Sequence, residues 1–150
     1  MVRNTLVDIL VVEDSESERA SIVESLQSSI QDVIVIAVHS GEEALDFLYC
    51  RNNWIERIGV DPPKLILMDL ALPGSDGFSV LGKIRSIEQE NEFTLTPVVI
   101  FTDSHNKQDI TKGYRCGANS YIIKPISILD FQDVVKTVGR YWMNLNKSHS

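Results

Sequence analysis

Residues 65–77 read Leu-Ile-Leu-Met-Asp-Leu-Ala-Leu-Pro-Gly-Ser-Asp-Gly. Leu65–Met68 is an unbroken apolar run, Asp69 ends it, and Pro73, Gly74 and Gly77 follow as turn residues. A short continuous apolar run bounded by turn chemistry is the signature of a strand buried on both faces, the kind found in parallel sheets covered by helices. The same pattern recurs at Ile9–Val12 (ILVV), Val33–Val38 (VIVIAV) and Val98–Phe101 (VVIF), with a weaker version at Ser120–Ile123 (SYII).

Helical spacing fills the intervals. Ile22, Val23, Leu26 and Ile30 follow Ser15-x-x-Glu18, and Ala44, Leu45 and Leu48 follow Ser40-x-x-Glu43. Both tetrads fit capping boxes. Val80, Leu81 and Ile84 mark a third helix, and Ile110 and Tyr114 a fourth within 109–116. Phe131, Val134, Val135, Val138, Tyr141 and Trp142 after Ser127-x-x-Asp130 mark the fifth. Strand and helix thus alternate five times, which predicts an α/β fold with a parallel sheet and right-handed crossovers. The interval Tyr49–Lys64, with Asn52-Asn53 and Pro62-Pro63, reads as irregular.

The chain has 150 residues, enough for one domain with a sizeable core, expected over about 7–142 with a polar, mobile tail at 144–150. Hydrophobic residues make up 43% and charged residues 23%, and the net charge is −7. This balance argues against a broad basic face for nucleic acid or an anionic membrane. No segment reaches the ~20 apolar residues of a membrane helix, and the N-terminus lacks a signal peptide's cleavage site, so a cytoplasmic protein is expected. Cys50 and Cys116 stand outside any CxxC spacing and read as reduced thiols. His39, His105 and His149 show no ligand spacing and receive no role.

Function is carried by what ends each strand. Ile9–Val12 runs into Glu13-Asp14, Leu65–Met68 into Asp69, Val98–Phe101 into Thr102, and Ser120–Ile123 into Lys124. In an open parallel sheet these tips converge where ligands bind. Three carboxylates in one small space raise each other's pKa unless a cation intervenes. Such hard oxygen ligands suit Mg²⁺, and a lysine and a hydroxyl beside them suit a phosphoryl group. Taken singly, Asp14 and Thr102 read as helix caps, Asp69 as a turn residue and Lys124 as a solvated loop charge. Four such coincidences at four strand tips are far less economical than one site.

With ILVVEDSE, LILMDLALPGSDG, PVVIFTDS and ANSYIIKP in order between Ile9 and Pro125, the chain resembles the receiver domain of bacterial two-component response regulators. The resemblance implies a flavodoxin-like (βα)5 doubly wound sheet of strand order 2-1-3-4-5. It implies that Asp69 is the phosphoacceptor, that Glu13, Asp14, Asp69 and the backbone carbonyl of Ala71 hold Mg²⁺, and that Thr102 and Lys124 bind the phosphoryl group. Tyr121 occupies the place of a switch aromatic that turns inward after phosphorylation. Pro73 and Gly77 fit the family's turn after the acceptor, and the Lys124–Pro125 bond is expected to be cis. Asp103 departs from the family, which usually has a small residue there, and is expected to modulate access. Ala71 offers no polar side chain to position a hydrolytic water.

The implied function is a stand-alone response regulator phosphorylated by a sensor histidine kinase, signalling by conformational switching or phosphorelay and resetting itself by hydrolysis. The 49–64 segment and the Tyr141-Trp142 end resemble the regulators that partner bacterial phytochromes, and imply a homodimer through the fourth helix, fifth strand and fifth helix. Trp142 reads equally well as closing the core, and Trp54 either meets a partner or anchors its loop. Three rival readings compete with this one. A phosphatase of the haloacid dehalogenase type needs a second Asp two positions after the nucleophile, where this chain has Ala71. A nucleotide-binding fold needs a glycine-rich turn after the first strand, where this chain has Glu-Asp-Ser. A degenerate receiver that only scaffolds other proteins is disfavoured by the intact set of Asp14, Asp69, Thr102 and Lys124.

Overall fold

The computed structural model describes residues 6–86 and 91–149. Its strands are β1 (Ile9–Val12), β2 (Val35–Val38), β3 (Leu65–Met68), β4 (Val98–Thr102) and β5 (Ser120–Ile123). The helices are α1 (Glu16–Ser29), α2 (Gly41–Leu48), α3 (Gly77–Ile84), α4 (Lys107–Arg115) and α5 (Ile128–Arg140). All pairings are parallel and the sheet order is β2-β1-β3-β4-β5. The expected (βα)5 sheet of order 2-1-3-4-5 is therefore what the chain forms.

Alternation along each strand divides the core in two. Leu10, Val12, Ile66, Met68, Val98 and Ile100 face a layer with α2 and α3, joined by Ala44, Phe47, Val80 and Leu81. Ile9, Val11, Leu65, Leu67, Val99 and Phe101 face α1 and α5, meeting Ile22, Leu26, Phe131 and Val135. Successive side chains on a strand point to opposite faces, so a strand covered on both sides must be apolar throughout, as these are. Every residue of β1, β3 and β4 is buried. The strand order reverses between β1 and β3, so the crevice of a doubly wound sheet lies at their carboxyl ends.

Several boundaries differ from the sequence reading. β2 begins at Val35, and just before it the Asp8 carboxylate accepts from the Ile34 amide at 2.8 Å while the Ile34 carbonyl accepts from the Asp8 and Ile9 amides. The 49–64 interval is not wholly irregular: Asn52–Arg57 forms a 3₁₀ helix, anchored by the edge-on packing of Trp54 against Phe47. This is the loop-anchoring reading of Trp54. The chain after α5 continues as a π-helical turn over Tyr141–Leu145, and Trp142 packs on the α1–α5 layer. The Lys124–Pro125 bond is trans, as are all peptide bonds among the described residues. The expected cis bond is thus not found; trans is the lower-energy isomer of an X–Pro bond by about 0.5–1 kcal/mol.

Candidate functional site at the strand ends

Glu13, Asp69, Thr102 and Lys124 come together at the carboxyl edge of β1, β3, β4 and β5, and all four are buried. Lys124 is the hub. Its Nζ donates to Glu13 Oε1 at 2.6 Å, to Asp69 Oδ2 at 2.7 Å and to Glu18 Oε2 at 3.3 Å. An ammonium has three donors, and here all three end on carboxylates. Its backbone amide donates to the Thr102 carbonyl at 2.7 Å, which fixes the end of β5 against β4.

Asp69 is held from the other side as well. Its Oδ1 accepts from the Leu70 amide at 2.7 Å and the Ala71 amide at 3.3 Å. The loop that supplies these amides is pressed against the start of α3. A Cβ on Gly77 would stand 2.7 Å from the Asp69 carbonyl oxygen and 2.9 Å from Leu70 Cα, so only glycine admits this approach. Gly77 closes the turn by donating its amide to the Leu70 carbonyl at 2.9 Å.

The electrostatics follow from burial opposed by pairing. Desolvation pushes the Glu13 carboxyl up from its ordinary value, against the pull of Lys124. Desolvation works to lower Lys124, but its hydrogen bonds to Asp69 and Glu13 outweigh it and hold the ammonium above its ordinary value. One buried cation serving two buried anions explains both directions. The lysine is doubly held, while each carboxylate has only a share of it.

Asp14 does not join this cluster. It is exposed, while its carbonyl and that of Glu13 accept from Arg19 at 3.2 and 2.9 Å. Among the described residues no three carboxylate, histidine or cysteine side chains stand close enough together to hold a metal. Of the three acids expected to converge, Glu13 and Asp69 do so on Lys124, joined there by Glu18, while Asp14 stays exposed at the rim. The donor set nonetheless fits a divalent ion. Glu13, Asp14, Asp69 and the Ala71 carbonyl are hard oxygens, and the close hold on Lys124 shows that Glu13 and Asp69 demand positive charge.

Thr102 stands at the end of β4, buried to 3% exposure, and the exposed Asp103 follows it at the mouth. The next residue, Ser104, ties the loop to α4: its hydroxyl donates to Asp109 Oδ2 at 2.6 Å. Tyr121 is half-buried, its hydroxyl donating to the Ser104 carbonyl at 2.8 Å. Burial raises the phenol's pKa, and that hydrogen bond lowers it in part.

Sequence reading missed Glu18 and Arg19. Each lies about one helical turn beyond the Glu13-Asp14 pair, on the face that looks at the strand tips. Their signal was spacing alone. Of the Ser15-x-x-Glu18 capping box only half exists. The Glu18 amide donates to Ser15 Oγ at 3.3 Å, but the Ser15 amide is taken by Glu13 Oε2 at 3.0 Å.

A family model for the response regulator receiver domain matches residues 9–136. The probable methanogenesis regulatory protein FilR2 of Methanothrix harundinacea is 32% identical over 140 residues, spanning 93% of this chain and 86% of that one. Response regulator Rcp1 of Synechocystis is 33% identical over 135 residues, spanning 90% and 88%. The crystal structure of its Mn²⁺-bound form matches with a TM-score of 0.84 at 30% identity, covering 96% of this chain and 99% of that one. The crystal structure of the phosphorylated cyanobacterial phytochrome response regulator RcpA gives 0.86 at 31% identity, covering 97% and 100%. The likeness thus extends over the whole sheet and its helices and is not confined to one motif.

Proposed function

The chain belongs to the response regulator receiver domain family, and from that premise we propose that Asp69 accepts a phosphoryl group from a sensor histidine kinase in a Mg²⁺-dependent reaction. The observation that carries this is the buried contact of Lys124 Nζ with Asp69 Oδ2 at 2.7 Å, beside a second buried carboxylate. A carboxylate held by an ammonium and two amides is oriented at the strand tip, which is what a nucleophile requires.

The Asp69 carboxylate attacks the phosphorus of a phosphohistidine. The new P–O bond forms as the P–N bond breaks, and the electron pair returns to the imidazole nitrogen, which takes a proton from solvent. Lys124 neutralises the phosphoryl oxygens, and the Thr102 hydroxyl donates to one of them. Glu13, Asp14, Asp69 and the Ala71 carbonyl would hold the divalent ion, which supplies further positive charge against the transferring group. Reset is attack of water on the same phosphorus, breaking the P–O bond and returning the carboxylate and inorganic phosphate. Ala71 contributes no side chain to that step.

The switch runs through Thr102, Ser104 and Tyr121, whose contacts link the phosphoryl site to α4 and β5. Its output is a change of population at the α4–β5–α5 surface, where Tyr114 and Ile123 are exposed and a homodimer would form. A phytochrome-type kinase in the cytoplasm is the partner favoured by the likeness to RcpA. No helix among the described residues is long and apolar enough to cross a membrane. The scaffold alternative is disfavoured because Asp69, Thr102 and Lys124 are all in place.

The test is intact-mass analysis after treatment with a small phosphodonor and Mg²⁺, run on the native protein and Asp69→Asn. Gain of one phosphate by the native protein alone is expected. Gain by neither, with a cognate kinase also failing, would overturn the proposal.

A further inference from the structure

Glu18 lies in the first turn of α1, where an acid after a serine cap ordinarily folds back on the cap's own amide. Here that amide is already bound by Glu13 Oε2. The Glu18 carboxylate is released from its local partner and reaches Lys124 instead, across 106 residues of chain, at 3.3 Å. Lys124 is left with no unused donor.

A phosphoryl group arriving on Asp69 turns that carboxylate into an acyl phosphate and frees the donor it held, but it brings three oxygens and more charge than the carboxylate carried. A second donor of the ammonium is then drawn from Glu13 or Glu18. Glu13 and Asp69 are nearly dry, with side chains 4% and 7% exposed, and hold the ammonium at 2.6 and 2.7 Å. Glu18 is 34% exposed and holds it at the longest distance. It loses least on release, because water can replace the ammonium at once.

We infer that Glu18 is a positioning residue that tethers the Lys124 ammonium toward α1 and must release it before phosphate can be stably held on Asp69. The tether restrains phosphorylation and favours return to the unphosphorylated protein. This rests on Asp69 being the phosphoacceptor.

The experiment measures phosphorylation by phosphoramidate and subsequent dephosphorylation, at saturating Mg²⁺, in the native protein, Glu18→Gln and Glu18→Asp. Both substitutions keep the backbone amide that serves the Ser15 cap. Aspartate keeps the charge but is one methylene too short for the contact. Tethering predicts that both variants are phosphorylated about threefold faster than the native protein, the size expected for a part-exposed ion pair, and that both lose phosphate more slowly. The ¹⁵N resonance of the Lys124 ammonium should move in both variants, which a merely helix-stabilising acid would not cause. Native rates in Glu18→Gln would overturn the tether, and so would native rates in Glu18→Asp alone, because charge would then suffice. If the native protein takes no phosphate at all, it is the phosphoacceptor reading that fails.

Discussion

Lys124 and Asp69 meet at 2.7 Å, buried, across 55 residues of chain, and Lys124 is at the same time the nearest cation to buried Glu13. Removing one partner of a buried pair is strongly destabilising, because the other charge stays behind without compensation. Lys124→Met leaves two such carboxylates. We expect a loss of about 3–5 kcal/mol by urea unfolding in the absence of divalent ions, and partial recovery when Mg²⁺ is added, since an ion bound only by the native state stabilises it. The native lysine, held above its ordinary value, contributes fully below the unfolded lysine pKa and loses that contribution only as pH rises through the folded one. The lysine's own charge therefore persists across neutral pH. A Lys124→Met variant as stable as the native protein would show that the pair carries no net stability.

Two glycines on neighbouring helices predict opposite outcomes. Gly82 is exposed in α3, and a Cβ there would meet nothing within 4 Å. Gly82→Ala should stabilise the protein by about 0.5–1 kcal/mol through helix propensity and a less flexible unfolded chain. Gly113 in α4 is buried, and a Cβ would stand 2.9 Å from Ile100 Cδ1 and 3.1 Å from Tyr121 Cδ2. Gly113→Ala should cost about 1–3 kcal/mol by overpacking. It should also disturb the Tyr121–Ser104 hydrogen bond, seen as a shift of the Tyr121 ring resonances. Equal effects of the two substitutions would contradict the close approach of α4 to β5.

How much of this was legible in the sequence depends on the range of the contacts involved. Asp69, Thr102 and Lys124 each directly follow an apolar strand, so pattern alone placed them at one edge. Asp14 follows a strand too, but the pleat decides which of two adjacent acids turns inward, and it chose Glu13. Register at that level is set by pairing with β2 and β3. The role of Glu18 is illegible in the sequence because its local partner, the Ser15 amide, is claimed by Glu13. The 3₁₀ helix at Asn52–Arg57 was illegible for the same kind of reason. It is held by Trp54 against Phe47 and by Arg57, buried over the Phe47 ring at 4.3 Å, and not by any local periodicity.

Cys50 offers a pH test away from the site. Burial is the largest influence on its thiol and raises its pKa; Arg57 works against this and Glu92 with it. A raised value means less thiolate at neutral pH, and the thiolate is the reactive form. Alkylation of Cys50 by iodoacetamide at neutral pH should therefore be slower than that of free cysteine. The rate should climb with a midpoint above the ordinary thiol value, followed by peptide mass mapping. A midpoint at or below that value would mean that Arg57 outweighs burial.

Asp103 sits exposed at the mouth, directly after Thr102. Incoming phosphodonors are anions, and the pocket already holds Glu13, Asp69 and Glu18 against the single charge of Lys124. A further carboxylate at the entrance repels a small donor before it reaches Asp69, an effect on approach that leaves the bound chemistry alone. Asp103→Ala should then be phosphorylated about two- to threefold faster by acetyl phosphate at low ionic strength. The gain should fade as salt shortens the screening length to about 8 Å near physiological ionic strength. It should also be smaller with a neutral or zwitterionic donor than with a dianionic one. Equal rates, or a gain indifferent to salt and donor charge, would remove Asp103 from any role in access.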